Sequence, residues 1–295
     1  EDVGPGIVYT WDYDTLPHIL IRQADGTFMV KRADRTTPGS GIPVGADYSA
    51  FGFVDRQTGA ELTNPKPSFV DSTINDISFF KNRLVLLSKE NVILSEAAYY
   101  FNFFRTTVTQ LLDVGVIDVG VGGTEVNLLK SAVPFSDRLI LFSSRTQFSL
   151  QGETILSPNT ASITPLTSFD IQTSAQPVHS GVSLFFAFDR GTYSGIREFY
   201  KTNETDIQFN AIEVTAQVPK YINGAVKKMT SSTHEDILAV LAGDSDRIYV
   251  YKYFTSGNDR VQTAWSKFIF TDCDVLDMHF IGPSLYLLVK RDSKT

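Results

Sequence analysis

The stretch Ile77-Ser-Phe-Phe-Lys-Asn-Arg-Leu-Val-Leu-Leu-Ser88 has a near twin in Ala132-Val-Pro-Phe-Ser-Asp-Arg-Leu-Ile-Leu-Phe-Ser143. Each reads as a short β-type run, a polar turn, and a second apolar run opening at Leu84 or Leu139. Aromatic and β-branched residues suit a pleated, half-buried surface, and a polar reversal between two such runs marks a hairpin. Weaker copies occur at Val178 to Phe188, Ser231 to Leu241 and Met278 to Val289. Their first apolar residues after the turn are Leu184, Ile237 and Leu285, so the five copies recur about every 45–55 residues.

A unit of that length holds about four short strands, the content of one propeller blade. The first four copies are each followed by another β-like run: Asn91 to Leu94, Phe148 to Leu150, Arg197 to Phe199 and Arg247 to Tyr253. A single blade cannot bury both of its faces, so such units stack around a common axis. The predicted fold is all-β and antiparallel, a β-propeller-like series of repeated blades, with under about a fifth of the chain helical. A generic two-sheet sandwich is the alternative. Only Ser95 to Asn102 and Val218 to Thr230 suggest a helical turn, and Pro219 and Gly224 keep the second one short.

Upstream, Pro17 to Ile21 and Thr27 to Lys31 form a hairpin pattern around Ala24-Asp25-Gly26. Residues 35–70 are rich in Gly, Pro, Thr and Asp, with one further strand expected near Tyr48 to Val54. The expected organisation is a hairpin or first-blade remnant at 1–34, a loop-rich insertion at 35–70, and a propeller-like domain at 71–295. The chain opens Glu1-Asp2-Val3, stops at Lys294-Thr295, and reads as the central fragment of a larger subunit.

Several functions are disfavoured by composition. Lys and Arg number 26 against 33 Asp and Glu, a formal charge of −7, which lacks the basic footprint of a tight nucleic-acid binder. Cys273 is the sole cysteine, so an intrachain disulfide cannot form, in keeping with assembly in a reducing cytoplasm. The apolar runs Ser183 to Phe188 and Leu285 to Val289 are far too short to span a bilayer.

Catalytic groupings are weak. His18, His179, His234 and His279 are dispersed, without metal-binding spacing, and no cofactor is expected. His234-Glu235-Asp236 reads as a solvated turn, because neighbouring side chains in a turn diverge. Asp113, Asp118 and Glu125 lie near the glycine-rich Gly120-Val-Gly-Gly123, which no Lys-Ser or Lys-Thr follows. Asp244-Ser-Asp246 lacks the later Gly and Glu of a calcium loop.

The order of several short motifs carries more. These are Asn64-Pro-Lys-Pro-Ser-Phe-Val70, Ile74-Asn-Asp-Ile-Ser-Phe-Phe-Lys-Asn-Arg-Leu84, Glu90-Asn-Val-Ile-Leu-Ser-Glu96 and Tyr100-Phe-Asn-Phe-Phe-Arg-Thr-Thr107. Ile117-Asp-Val119, Phe135-Ser-Asp-Arg-Leu139, Thr146-Gln-Phe-Ser-Leu150, Arg197-Glu-Phe-Tyr200 and Trp265-Ser-Lys-Phe-Ile-Phe270 follow. From about Gly4 onward the chain resembles the tail tubular protein B, or tail nozzle, family of short-tailed bacteriophages. Phe51 and Phe53 stand where that family's pattern has a Trp, and Gly59-Ala-Glu61 replaces its Gly-Asp.

The resemblance implies a structural protein of the virion tail, a non-enzyme, assembled in the bacterial host cytoplasm. Its implied partners are five further copies in a hexamer, the tail adaptor (tail tubular protein A), tail fibres, and viral DNA that passes without tight binding. A tail-associated propeller hydrolase acting on host polysaccharide, and a propeller binding module, are the competing classes. The aromatic patch Tyr99, Tyr100, Phe101, Phe103 and Phe104 is expected to pack between blades or subunits; stacking of bases, with Arg105, is its alternative. Arg83 and Arg138 occupy the same repeat position and are expected to satisfy carboxylates or carbonyls between blades.

Overall fold

A computed structural model describes residues 9–36, 51–122, 126–152, 155–202, 209–256 and 259–291. Among them every regular element is a strand, and every registered pairing is antiparallel. β1 (Ile19–Arg22) and β2 (Phe28–Lys31) form a hairpin. β3 (Ile74–Phe80), β4 (Arg83–Ser88), β5 (Asn91–Leu94) and β6 (Ile117–Gly120) make a four-stranded sheet in chain order. β7 (Ser131–Phe135), β8 (Arg138–Phe142), β9 (Gln147–Gln151) and β10 (Ser162–Thr167) make the next. β11 (Val178–Ser180), β12 (Ser183–Arg190), β13 (Tyr193–Lys201) and β14 (Phe209–Glu213) follow, with β15 (Ile222–Asn223) also paired to β13. β16 (Lys228–Ser232), β17 (Ile237–Leu241), β18 (Arg247–Ser256) and β19 (Asp259–Ile269) form a fourth sheet, and β20 (Cys273–Ile281) pairs with β21 (Ser284–Arg291).

The five hairpins read from the repeat are β3–β4, β7–β8, β11–β12, β16–β17 and β20–β21. Their reversals use left-handed residues: Lys81 and Asn82 together, then Ser136, Gly181, Asp236 and Gly282. That backbone hand matches the right-handed twist of the flanking strands. Ser95 to Asn102 is a closed turn instead of a helical one, because Ala98 sits at φ 66° and Glu96 bridges Tyr99. Residues 218–221 form a turn that leads into β15. Of the strand expected near residues 48–54, positions 48–50 lie outside the described residues, and Gly52 makes a single bridge to Asp34.

The chain divides into two compact units, Glu1–Thr124 with Gln151–Ile163, and Glu125–Leu150 with Thr164–Thr295. In the first, one face of the β3–β6 sheet (Leu84, Leu86, Ile93) is covered by Trp11, Phe53, Phe69, Phe103 and Phe104. Val85, Leu87, Val92 and Leu94, on the opposite face, are equally buried, which is why β4 reads as a continuous apolar run.

In the second unit, alternate side chains of one strand serve two different cores. Leu184 and Phe186 of β12 pack with Ile140 and Phe142 of β8. Phe185 and Ala187 point the other way, toward Leu238 and Val240 of β17. Ala239 and Leu241, alternating with those, meet Val275 and Met278 of β20. Each such buried Val, Leu, Ile or Phe contributes about 1.5–3 kcal/mol. The first strands are tied by polar contacts: Ser231 Oγ donates to His179 O (3.0 Å), and Phe280 N donates to Thr230 Oγ1 (3.1 Å). Repeated antiparallel sheets stacked face to face in this way are propeller-like blades.

Candidate packing and assembly site

The aromatic patch is built by one turn. Ser95 Oγ accepts from Leu84 N (3.0 Å), fastening the turn to β4. Glu96 N donates to Asn102 O (2.9 Å), Asn102 N to Tyr99 O (3.0 Å), and Ala98 N to Asn82 O in the β3–β4 reversal (2.9 Å). Asn102 Nδ2 donates to the Glu96 carboxylate (2.6 Å), and Asn102 Oδ1 accepts from Phe104 N (3.1 Å). This closed loop directs the patch in two directions.

Phe103 and Phe104, each 2% exposed, enter the core of the first unit. Phe103 stacks on Phe53 (5.7 Å) and meets Phe69 edge-on (5.2 Å), while Phe104 lies 5.2 Å from Trp11. Phe101, half-buried, meets Phe53 edge-on at 5.6 Å. The turn carries Tyr99 (66% exposed) and Tyr100 to the surface. Tyr100 donates to Asn82 Oδ1 (2.6 Å) and contacts the exposed Phe79 ring edge-on at 5.4 Å. With Ile77, also exposed, these rings give the β3–β4 hairpin an apolar outer surface.

The motif residues around the patch hold it in place. Asn64, 1% exposed, accepts from Arg105 N (2.9 Å) and donates to Thr58 O and Arg105 O (2.9 and 3.0 Å). Asp118 accepts from Ser68 N (2.8 Å) and Asn91 Nδ2 (2.9 Å). Phe53 fills the aromatic cluster, and Glu61 pairs with the buried Arg56 at 2.8 Å. Trp11 was not singled out in the sequence, although Tyr9-x-Trp11-x-Tyr13 carries the period of two that signals its role.

The two repeat arginines open β4 and β8 but differ in surroundings. Arg83, buried, donates to the carbonyls of Ser95 (2.7 Å), Gly115 (2.6 Å) and Asp113 (3.0 Å), with a longer contact to Leu156 O (3.4 Å). Burial pulls its affinity for the proton down, and Glu96 opposes that pull. Among the described residues Arg138 makes a 3.7 Å ion pair with the exposed Asp137, and its Nε lacks a hydrogen-bond partner.

The groups that looked catalytic hold structural partners. Asp246 pairs with Arg247 (2.8 Å), Asp244 accepts from Asn223 (3.1 Å), and Glu235 O accepts from Lys252 (2.9 Å). Glu125 and Gly123 lie outside the described residues. Among the described residues no three His, Cys, Asp or Glu side chains cluster as metal ligands, and no helix is long and apolar enough to cross a membrane.

The pattern of motifs that this scaffold explains also decides the family. A family model described as bacteriophage nozzle protein matches residues 1–295. The chain belongs to the bacteriophage nozzle protein family. It is 34% identical over 285 residues to tail tubular protein gp12 of Escherichia phage T7, covering 96% of this chain and 34% of that relative. The chain thus spans about a third of the length of the curated relative it matches. Nozzle-family membership makes it a structural component of the phage tail.

Solved structures with a distant likeness include Kluyveromyces lactis Hsv2p, at 11% identity and TM-score 0.44 over 80% of this chain and 61% of that one. A putative 6-phosphogluconolactonase from Bacteroides fragilis is 9% identical, with TM-score 0.45 over 84% and 67%.

The turn stores strain that a single change should release. Ala98 holds a left-handed backbone that costs a non-glycine residue about 1–2 kcal/mol, partly offset by the lower chain entropy of alanine when unfolded. Ala98→Gly is expected to stabilise the protein by about 0.5–1 kcal/mol in chemical denaturation. A loss of stability would show that Ala98 relieves its strain through contacts that glycine cannot make.

Proposed function

We propose that this chain is the propeller-like part of a ring-forming nozzle subunit, hexameric in the virion tail, through which viral DNA leaves for the host. The whole-length match to the nozzle family carries this reading. In it, the ring joins the tail adaptor (tail tubular protein A) on one side, carries tail fibres nearby, and is assembled in the host cytoplasm. The hairpin 1–34, the loop-rich 35–70 and the repeats 71–295 act as successive parts of that subunit.

The exposed rings of Phe79, Tyr99 and Tyr100 are the subunit contact, since fixed aromatic side chains offer large contact area at low entropy cost. The buried Phe103 and Phe104 support the turn that presents them. Each copy brings a formal charge of −7, and a ring multiplies it. A conduit must let a polyanion slide, so acidic residues belong on the surface facing the ring axis, with basic ones turned to partner subunits.

Sedimentation velocity at rising concentration tests the contact. The chain is expected to form higher oligomers, and Phe79→Asp with Tyr99→Asp to abolish them with little change in melting temperature. Duplex DNA should bind only non-specifically, with Kd on the order of 10⁻⁴–10⁻⁶ M at physiological salt. Oligomers indifferent to both substitutions, or tight and steeply salt-dependent DNA binding, would overturn the assignment of contact and channel.

A further inference from the structure

Arg197 opens the motif Arg197-Glu-Phe-Tyr200 and takes no part in the contacts described above. Alternate residues of a strand point the same way, so Gly195, Arg197 and Phe199 share one face of β13. On one flank Phe188 stands opposite Gly195 and Phe186 opposite Arg197; on the other, Glu213 stands opposite Arg197. Phe186 and Phe199 join Ile140 and Phe142 in a shared core, and the half-buried Arg197 stands where that face meets solvent.

Two rings hold the guanidinium in place. Its central carbon lies 4.7 Å from the centre of the Phe188 ring and 4.8 Å from that of Phe169, close enough for each π system to attract the cation. Both rings are themselves anchored. Phe188 lies over Gly195, where a β-carbon would collide with it. The backbone of Phe169 is clamped by the buried Gln147, whose amide donates to Phe169 O (2.8 Å) and accepts from Phe169 N (3.1 Å).

Among the described residues, however, the Arg197 guanidinium has no oxygen partner. Its register neighbour Glu213 is taken by Arg190 (2.7 Å) and by the Thr215 hydroxyl (3.0 Å). Asp189 accepts from Gln172 (2.5 Å), and Asp170 lies toward Arg145 (3.9 Å). The result is a cation fixed in position with its directed N–H donors uncommitted.

We propose that Arg197 is a preset receptor for a carboxylate, carried on an acidic loop of another protein chain. A guanidinium already held by rings loses little freedom when its planar fork closes on a carboxylate, so more of the interaction appears as affinity. Charge favours a carboxylate over the phosphates of a nucleic acid. A phosphate backbone is gripped by several cations together, whereas here Arg190 is neutralised by Glu213 and Asp189 and Asp170 lie close by in sequence. The proposal rests on the tail-assembly reading only for the source of the loop; the preference for a carboxylate belongs to Arg197 and its rings.

The test uses the whole chain with nitrogen-15 in its arginines and follows the Arg197 Nε–H signal, assigned by its loss in Arg197→Lys. Three probes are compared: a capped tetraglutamate peptide, its tetraglutamine counterpart, and a thymidine tetranucleotide. The glutamate peptide is expected to shift the Arg197 signal saturably, and the other two to bind about fivefold more weakly or worse. Phe169→Leu keeps the charge and removes one ring, and should weaken the glutamate peptide about threefold. Undisturbed signals from the other arginines would verify that both variants keep their fold. An equal response to the glutamine peptide, tighter binding of the tetranucleotide, no saturable shift at Arg197, or indifference to Phe169→Leu would overturn the proposal. None of these outcomes alters the sedimentation result, so failure here is distinct from failure of the nozzle reading.

Discussion

Replacing Phe103 by alanine is expected to cost the first unit about 3–5 kcal/mol, the range for removing a fully buried aromatic ring. The ring is 2% exposed and lies between Phe53 and Phe69, both of which also touch Trp11. Its loss therefore opens a cavity in the middle of a cluster and removes two specific ring pairings. The neighbours are themselves large and held by other contacts, so little collapse into the gap is possible. Urea denaturation measured beside Tyr99→Ala gives the contrast, because Tyr99 is exposed and its truncation should cost little. A Phe103→Ala protein within about 1 kcal/mol of the parent would show that the patch is not a core element.

Arg83→Met should be nearly as damaging, and Arg138→Met nearly harmless, despite their shared place in the repeat. Arg83 satisfies three carbonyls within 3.0 Å, each bond charge-assisted, the one to Ser95 O buried and those to Gly115 O and Asp113 O part-buried. Methionine keeps the volume of the stem but leaves those carbonyls without a donor, at a cost of roughly 3–5 kcal/mol in sum. The arginine also joins segments far apart in the chain, so the turn after β5 and the strand β6 should loosen together. Among the described residues Arg138 makes one long ion pair, to an exposed aspartate that water screens, and its buried Nε is unpaired, so methionine removes little that stabilises the fold. Parallel denaturation of the two variants decides the matter. Similar losses at both sites would mean that the repeat position itself, and not its local carbonyls, sets the value.

The hairpins were legible because their signal is local. Lys81-Asn82 between two apolar runs can be read without knowing what either run packs against. Strand order followed for the same reason, since consecutive strands pair throughout the four-stranded sheets. The aromatic patch was visible as a cluster of large side chains, but its division into buried Phe103 and Phe104 and exposed Tyr99 and Tyr100 was not. That division depends on Ala98 adopting a left-handed backbone, a state alanine seldom takes and composition gives no reason to expect. The unequal environments of Arg83 and Arg138 were hidden similarly. Both begin a strand after a two-residue reversal, while the carbonyls that distinguish them come from segments up to 73 residues away.

The alternation of core faces along β12 and β17 has a mechanical consequence. Each sheet of the second unit grips only the sheet before it and the sheet after it, so load is passed along in series and not shared across a common core. A tug applied at β21 is resisted first by the small interface that Val275 and Met278 make with Ala239 and Leu241. The same tension acts on the larger aromatic layer of Phe185, Tyr249 and Tyr251, which outlasts the smaller interface because it buries more apolar surface. Stress on the second unit is therefore relieved one interface at a time, at the smallest of them, and the larger aromatic layers keep their packing.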